Sequence, residues 1–343
     1  MKKKIFWILA GICFAGAGMG YYYYDQLFSP VLFKELKQKE LKLKTGSTFE
    51  DVLYQLKQNN QLARENGFKW LSQKMGYNDK SVKPGRYILT PGMSNIELVR
   101  LLRSGNQTPV KIVIYEGRTP DDIIRKADDH LETDMATLLD TLYSESFLAS
   151  IQHTRDNAMN IFIPNTYEVY WNISARNFLI KMKQEADKFW TKNNRIYKAK
   201  LKGLSTDEVY TMASIVEKET NNKAEKPIIA GVYLNRLKKG MRLQADPTVV
   251  FAKKAFSIQR VKLADLEFNS PYNTYLNDGL PPGPISIASI ESIDAVLDAA
   301  DHDYVYFCAK PGAVGQHNFA ATLAAHNANA RKFHDWMNEQ KIK

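Results

Sequence analysis

Hydrophobic and polar positions along this chain follow two periods, and each marks a different kind of element. An uncharged run from Ile5 to Tyr24 comes first; its length is close to the roughly 20 residues a helix needs to cross a bilayer. Pro30 to Leu41 is charged and mostly helical in character, a stalk above the membrane. Leu41-Lys42-Leu43-Lys44 alternates as a half-buried strand does, and Thr45-Gly46-Ser47 is a turn. Ser47 stands as the cap of a helix from Phe49 that carries Val52, Leu53 and Leu56 on one face. Phe68 to Met75 predicts another helix, Lys83 to Leu89 a turn and a strand, and Ser94 the start of a helix with Ile96, Leu98, Val99, Leu101 and Leu102. Val110 to Tyr115 reads as a strand, Asp121 to His130 as a helix, and Phe178 to Asn193 as a charged amphipathic helix.

The clearest helical pattern lies between Ser205 and Thr220. Ser205 is a good N-cap and Glu208 sits three residues on, a capping box. Val209, Met212, Ala213 and Val216 then recur at helical spacing. Glu217 and Glu219 fall at the far end, where the helix dipole repels negative charge. With partial burial, that repulsion raises a carboxyl pKa, as an acid catalyst requires. Residues two apart are turned by roughly 200° on a helix, so the two carboxylates serve different tasks. On pattern alone, a pair of solvated surface acids is the plainer reading.

Charge and cysteine usage narrow the field. The 343 residues allow an anchor plus one large or two modest domains, and the formal net charge of +10 favours anionic partners. The basic residues are scattered, with no run longer than Lys2-Lys3-Lys4 and no nucleic-acid-binding motif, which argues against nucleic acid as a partner. No zinc-ligand spacing occurs, so neither a metal nor another cofactor is expected. Cys13 lies inside the apolar run and Cys308 in a β-like run, so a disulfide between them is geometrically implausible, and Cys308 reads as a buried structural thiol. The lysines ahead of the apolar run predict a cytoplasmic tail at 1–4 and a transmembrane anchor at 5–24, with Tyr21 to Tyr24 at the far interface and the remainder outside the cytoplasm. A cleaved signal peptide at Ala15-Gly16-Ala17 is the rival, and the anchor is preferred because the uncharged run continues beyond it.

Further signals come in a fixed order: Asn235-Arg236-Leu237, Met241 to Thr248, Ser270 to Tyr275, Gly279 to Ile285, Gly315 to Phe319, and His326-Asn327. Together with Glu217-Lys218-Glu219-Thr220, this ordered set resembles the YceG-like family, the endolytic murein transglycosylases, from about Leu41 to about His326. The resemblance implies an α+β fold: after the transmembrane helix, a LysM-like module at 41–108 and a YceG-like catalytic domain at 109–343. LysM units bind glycans containing N-acetylglucosamine, although no specific binding residue stands out here. Members usually carry Asp after the Pro of Ile161-Phe162-Ile163-Pro164, whereas this chain has Asn165, so no role there rests on a charge.

The implied chemistry is lytic transglycosylation, in which one Glu protonates the glycosidic oxygen and then takes a proton from the muramic acid 6-hydroxyl. By resemblance Glu217 is the catalytic residue and Glu219 the alternate, with a pairing to an arginine such as Arg236 as the structural role for Glu219. The amides of Asn235, Gln244 and Asn273 suit sugar hydroxyls and acetamido groups, and Tyr272 and Tyr275 offer flat faces to sugar rings. Arg236 and Asp246 complete the expected substrate-binding set, although Asp246 before Pro247-Thr248 also reads as a helix cap. His317 and His326 read as structural histidines rather than bases. The implied substrate is nascent peptidoglycan strands at the bacterial inner membrane, cut at the MurNAc–GlcNAc bond to leave 1,6-anhydroMurNAc ends. Such cutting terminates glycan polymerisation and makes peptidoglycan synthases candidate partners. A hydrolytic muramidase and a non-catalytic peptidoglycan-binding scaffold are the alternatives.

Overall fold

The structure is a computed structural model that describes residues 2–258 and 261–340. Met1 of the expected tail, and 341–343 at the end of the expected catalytic domain, lie outside the described residues. The chain forms two compact units. One runs through Lys111 and includes His130–Glu132 and Glu168–Ile173; the other holds Ile112–Asp129, Thr133–Tyr167 and the chain from Ser174 onward.

The first unit contains α1 (Lys2–Phe28), β1 (Glu40–Leu43), α2 (Phe49–Gln58), α3 (Glu65–Lys74), β2 (Gly85–Ile88) and α4 (Asn95–Ser104). β1 and β2 are antiparallel, with Leu41 opposite Tyr87 and Leu43 opposite Gly85. The period of two sends Leu41, Leu43 and Tyr87 to one face, where they are fully buried against Val52, Leu56, Phe68 and Leu98. Thr48, not Ser47, caps α2: its hydroxyl accepts from the Asp51 N–H while Asp51 accepts from the Thr48 N–H. Ser47 also has an acid three residues on, Glu50, but the reciprocal bonds of the capping box form between Thr48 and Asp51.

Residues 29–39 are not the expected helical stalk. Val31 and Leu32 are adjacent and both 1% exposed, a pattern no solvated helix can give. The Val31 N–H donates to Met93 O, and Val31 O accepts from the Ala63 N–H, so this stretch packs as an extended segment. The end of α1 is tied down as well. Arg64 pairs with Asp25 at 2.6 Å, and Asn95 Nδ2 donates to Gln26 O at 2.9 Å. Within α1 the uncharged run from Ile5 to Tyr24 is largely exposed, and the helix is long and apolar enough to cross a membrane.

From there the chain continues through β3 (Val110–Ile114), α5 (Pro120–Asp128), α6 (Met135–Leu142), α7 (Glu145–Ser150), β4 (Asn165–Val169), α8 (Ala175–Thr191) and α9 (Arg195–Leu201). It ends with α10 (Thr206–Glu219), α11 (Lys226–Lys238), α12 (Asp246–Ala252), α13 (Ile290–Leu297), β5 (Tyr306–Ala309), β6 (His317–Ala320) and α14 (Leu323–Glu339). β3 pairs with β4, and β5 with β6.

Within the second unit, α10 is the central element. Ser205 and Glu208 form the expected capping box. The stripe of Val209, Met212, Ala213 and Val216 is fully buried, but so are Tyr210, Ser214 and Ile215, because α11, α12 and α13 surround the helix. Its first turn, Thr206 to Glu208, and its last, Glu217 to Glu219, reach the surface, while every residue between them is buried. Ser214 inside the helix satisfies its hydroxyl by donating to Thr211 O at 2.6 Å and accepting from the Ile285 N–H at 3.0 Å. That bond docks the Gly279–Pro284 loop on α10. A Cβ on Gly283 would stand 2.0 Å from Asp156 O, so no other residue fits there.

Candidate active site

The two glutamates at the end of α10 sit in different environments. Glu219 is the last helical residue and accepts a hydrogen bond on Oε1 from the Tyr233 hydroxyl of α11. It lines a cavity of about 270 Å³ together with Arg236, Gln244, Asp246, Tyr275 and His326. It also lines a second cavity of about 300 Å³, and the two cavities share Glu219 and Asp246. Burial pushes the Glu219 carboxyl up to about 7; the Tyr233 hydrogen bond opposes that shift, and the neighbouring Asp246 carboxylate adds to it.

Glu217 points elsewhere, as a turn of roughly 200° requires. Its Oε2 accepts from the hydroxyls of Ser289 and Ser292 and from Lys226 Nζ at 3.0 Å. Burial alone raises its pKa, but the three donors and the Lys226 charge outweigh burial and hold the carboxyl below the usual glutamate value. This is the opposite of the upward shift expected for Glu217 from its place at a helix end. The sequence showed the dipole but not the donors on α11 and α13.

Of the expected substrate-binding residues, Arg236, Gln244, Asp246 and Tyr275 gather around Glu219. Asp246 is the first residue of α12, behind the cap position of Ala245, and its Oδ1 accepts from the Tyr275 hydroxyl at 2.5 Å. The cap reading of Asp246 therefore gives way to a place in the cavity wall. Arg236 is buried and donates to Arg242 O at 2.7 Å, Val305 O at 2.9 Å and Gln244 Oε1 at 2.5 Å. The expected pairing of Glu219 with Arg236 is replaced by the Tyr233 bond, since these carbonyls occupy the guanidinium. Gln244 adopts a φ of 52°, left-handed for a residue with a side chain, a conformation that costs of order 1–3 kcal/mol and clusters at functional sites.

Asn235, Asn273 and Tyr272 line neither cavity. Asn235 Nδ2 donates to His302 O and Tyr304 O, and the fully buried Asn273 donates to Leu266 O and Phe268 O. Tyr272 packs its ring on Phe251, 4.9 Å between centroids, and bonds Asp156. An amide or a ring in the sequence does not reveal its partner. His317 lies 2.7 Å from Glu225 Oε2, while His326 stacks on Tyr306 and stands in the cavity wall. Cys308 is only half-buried. Tyr233, Lys226, Ser289 and Ser292 were not anticipated. For Tyr233 there was a signal: it precedes Arg236 by three residues on one helix face.

Known proteins share this architecture. The profile of the YceG-like family matches residues 41–332. An endolytic murein transglycosylase of Bacillus subtilis is 31% identical over 345 residues, covering 94% of this chain and 92% of the relative. An endolytic murein transglycosylase of Streptococcus pneumoniae is 27% identical, and the chain spans 60% of its length. A crystal structure of a YceG-like protein from Listeria monocytogenes aligns with a TM-score of 0.56 at 30% identity, covering 84% of this chain and 98% of that one.

Proposed function

The chain belongs to the YceG-like family, and on that premise we propose that it is an endolytic murein transglycosylase whose acid is Glu219. The observation that carries the assignment is a carboxyl raised to about 7, fixed by Tyr233 at the meeting of two cavities. A catalytic acid–base works best when its pKa lies near the working pH. Glu217, held ionised by Lys226 and two serines, is instead the positioning group that ties α10 to α11 and α13.

The reaction follows from one carboxyl. Tyr233 occupies Oε1, leaving Oε2 to carry the proton. Glu219 gives that proton to the oxygen linking MurNAc to GlcNAc, and the bond from that oxygen to the anomeric carbon breaks. The muramic acid 6-hydroxyl attacks the same carbon and yields its proton to the Glu219 carboxylate. The enzyme returns to its starting form, a 1,6-anhydro ring closes, and no water is consumed. The Gln244 amide and Tyr275 flank the acid, where sugar hydroxyls and acetamido groups pass.

The wider setting belongs to the same reading. α1 anchors the chain in the cytoplasmic membrane with the second unit outside, and the LysM-like module of the first unit meets nascent glycan. Cleavage there sets strand length beside a peptidoglycan synthase. Digestion in heavy-oxygen water tests the chemistry: lytic products carry anhydro ends without label. Labelled reducing ends would establish the muramidase instead, and an intact substrate the scaffold.

A further inference from the structure

The second cavity, which Glu219 and Asp246 help to line, leads to a charged groove. Arg118 and Lys218 line that cavity and also a third one of about 390 Å³. Both are half-buried; burial, first, and then the charge of Arg118 act unfavourably on the Lys218 cation and outweigh the favourable charges of Glu217 and Glu116. Neighbouring cations are differently placed. Lys126 stands 3.7 Å from Glu116, and Lys226 is paired with Glu217. Among the described residues neither Arg118 nor Lys218 has an ion pair within 4.0 Å. Asp122, whose charge acts favourably on Arg118 from beyond ion-pair distance, is itself engaged by the Arg118 and Thr119 backbone N–H groups. The guanidinium lies 5.4 Å over the Phe256 ring instead, which fixes it without neutralising it.

Two desolvated cations held side by side destabilise the fold unless an anion is brought to them. The N-acetylated sugars of the glycan backbone are uncharged. The carboxylates belong to the peptide stems, one stem on each muramic acid, and so to the residue whose bond Glu219 breaks. A lipid pyrophosphate is also anionic, but it stands only at a strand's end, whereas an endolytic cut falls within the strand. We propose that Arg118 and Lys218 form an anion subsite beside Glu219 that takes a carboxylate of the substrate's peptide stem, making the enzyme selective for strands with free stem carboxylates. This rests on the reading of the site as a transglycosylase.

The test compares full-length protein on two strand preparations, one with free stem carboxylates and one with those carboxylates converted to amides. Wild type should show about a tenfold higher kcat/KM on the free-acid strands, the scale of one charge-assisted hydrogen bond, with the difference mainly in KM. An Arg118→Gln, Lys218→Gln double variant with unchanged melting should treat both alike. Arg118→Lys with Lys218 intact should keep the preference; if the double variant does not fold, Lys218→Gln alone should reduce it. Equilibrium binding to a Glu219→Gln variant supplies a readout free of turnover, with free-acid strands about tenfold tighter and the difference weakened by salt. Equal handling of both strands by wild type overturns the subsite. So does a preference that survives in the double variant, or binding that responds only to a terminal lipid pyrophosphate. If binding keeps the preference but no strand is cut by the wild type, the subsite stands and the enzymatic reading falls.

Discussion

Glu217 and Glu219 lie two residues apart and do opposite things with a proton. Their division of labour was legible from helical geometry alone; which one is the acid was not. The deciding partners, Tyr233, Lys226, Ser289 and Ser292, lie on other elements and meet the glutamates only after folding. The raised carboxyl gives activity a definite pH response. Glu219 starts the reaction protonated, so kcat/KM should fall on the alkaline side with a midpoint near 7. The same shift has a sign for stability. The folded state holds a proton that the unfolded chain releases near the ordinary value of 4.5. The associated stability is therefore full below that value and is lost as pH rises through about 7. Glu219→Gln should remove this slope, read as a melting temperature that no longer declines between those two pH values.

At the scale of elements, the packing of α10 against α11 and α13 is what fixes the site. Lys226 is buried with 6% of its side chain exposed, and Glu217 is its carboxylate partner. Removing one member of such a pair leaves an uncompensated charge, at about 3–5 kcal/mol. Glu217→Ala should therefore unfold at markedly lower denaturant concentration, and Glu217→Ala with Lys226→Met should recover much of the loss. The sign with pH is the reverse of that at Glu219: a depressed carboxyl stabilises above its ordinary value and ceases to do so as acid is added. Gly231 of α11 marks a second close approach. A Cβ there would stand 2.6 Å from both Ala300 O and His302 Nε2. Gly231→Ala should destabilise by about 1–3 kcal/mol in chemical unfolding, despite the higher helix propensity of alanine. The capping box at Ser205, the helix start at Ser94 and the alternation at Leu41 and Leu43 were readable because such signals are local. The extended course of residues 29–39 was not, since its partners Met93 and Ala63 lie far along the chain.

At the scale of the whole molecule, the proposed roles are placement for α1 and chemistry for the second unit. A soluble fragment must respect the packing below the apolar run. Val31 and Leu32 are core residues, and Asp25 and Gln26 are bonded to Arg64 and Asn95. A fragment beginning at Asp25 should keep its melting temperature and cleave isolated strands, whereas one beginning at Lys34 should lose stability in the first unit; paired melting curves and digests check both. The ordered motifs from Asn235 to Asn327 made the family legible, yet Asn235, Asn273 and Tyr272 serve the scaffold. The central claim is that Glu219 moves the proton, and the most direct measurement is the yield of 1,6-anhydro ends from Glu219→Gln and Glu217→Gln, each compared with wild type. Glu219→Gln should fold as wild type does and lose about 10²–10⁴-fold in rate, while Glu217→Gln should be less stable yet, at a temperature where it is folded, still produce anhydro ends. A folded Glu219→Gln that cleaves at the wild-type rate, or a stable Glu217→Gln that alone is inactive, would contradict the assignment.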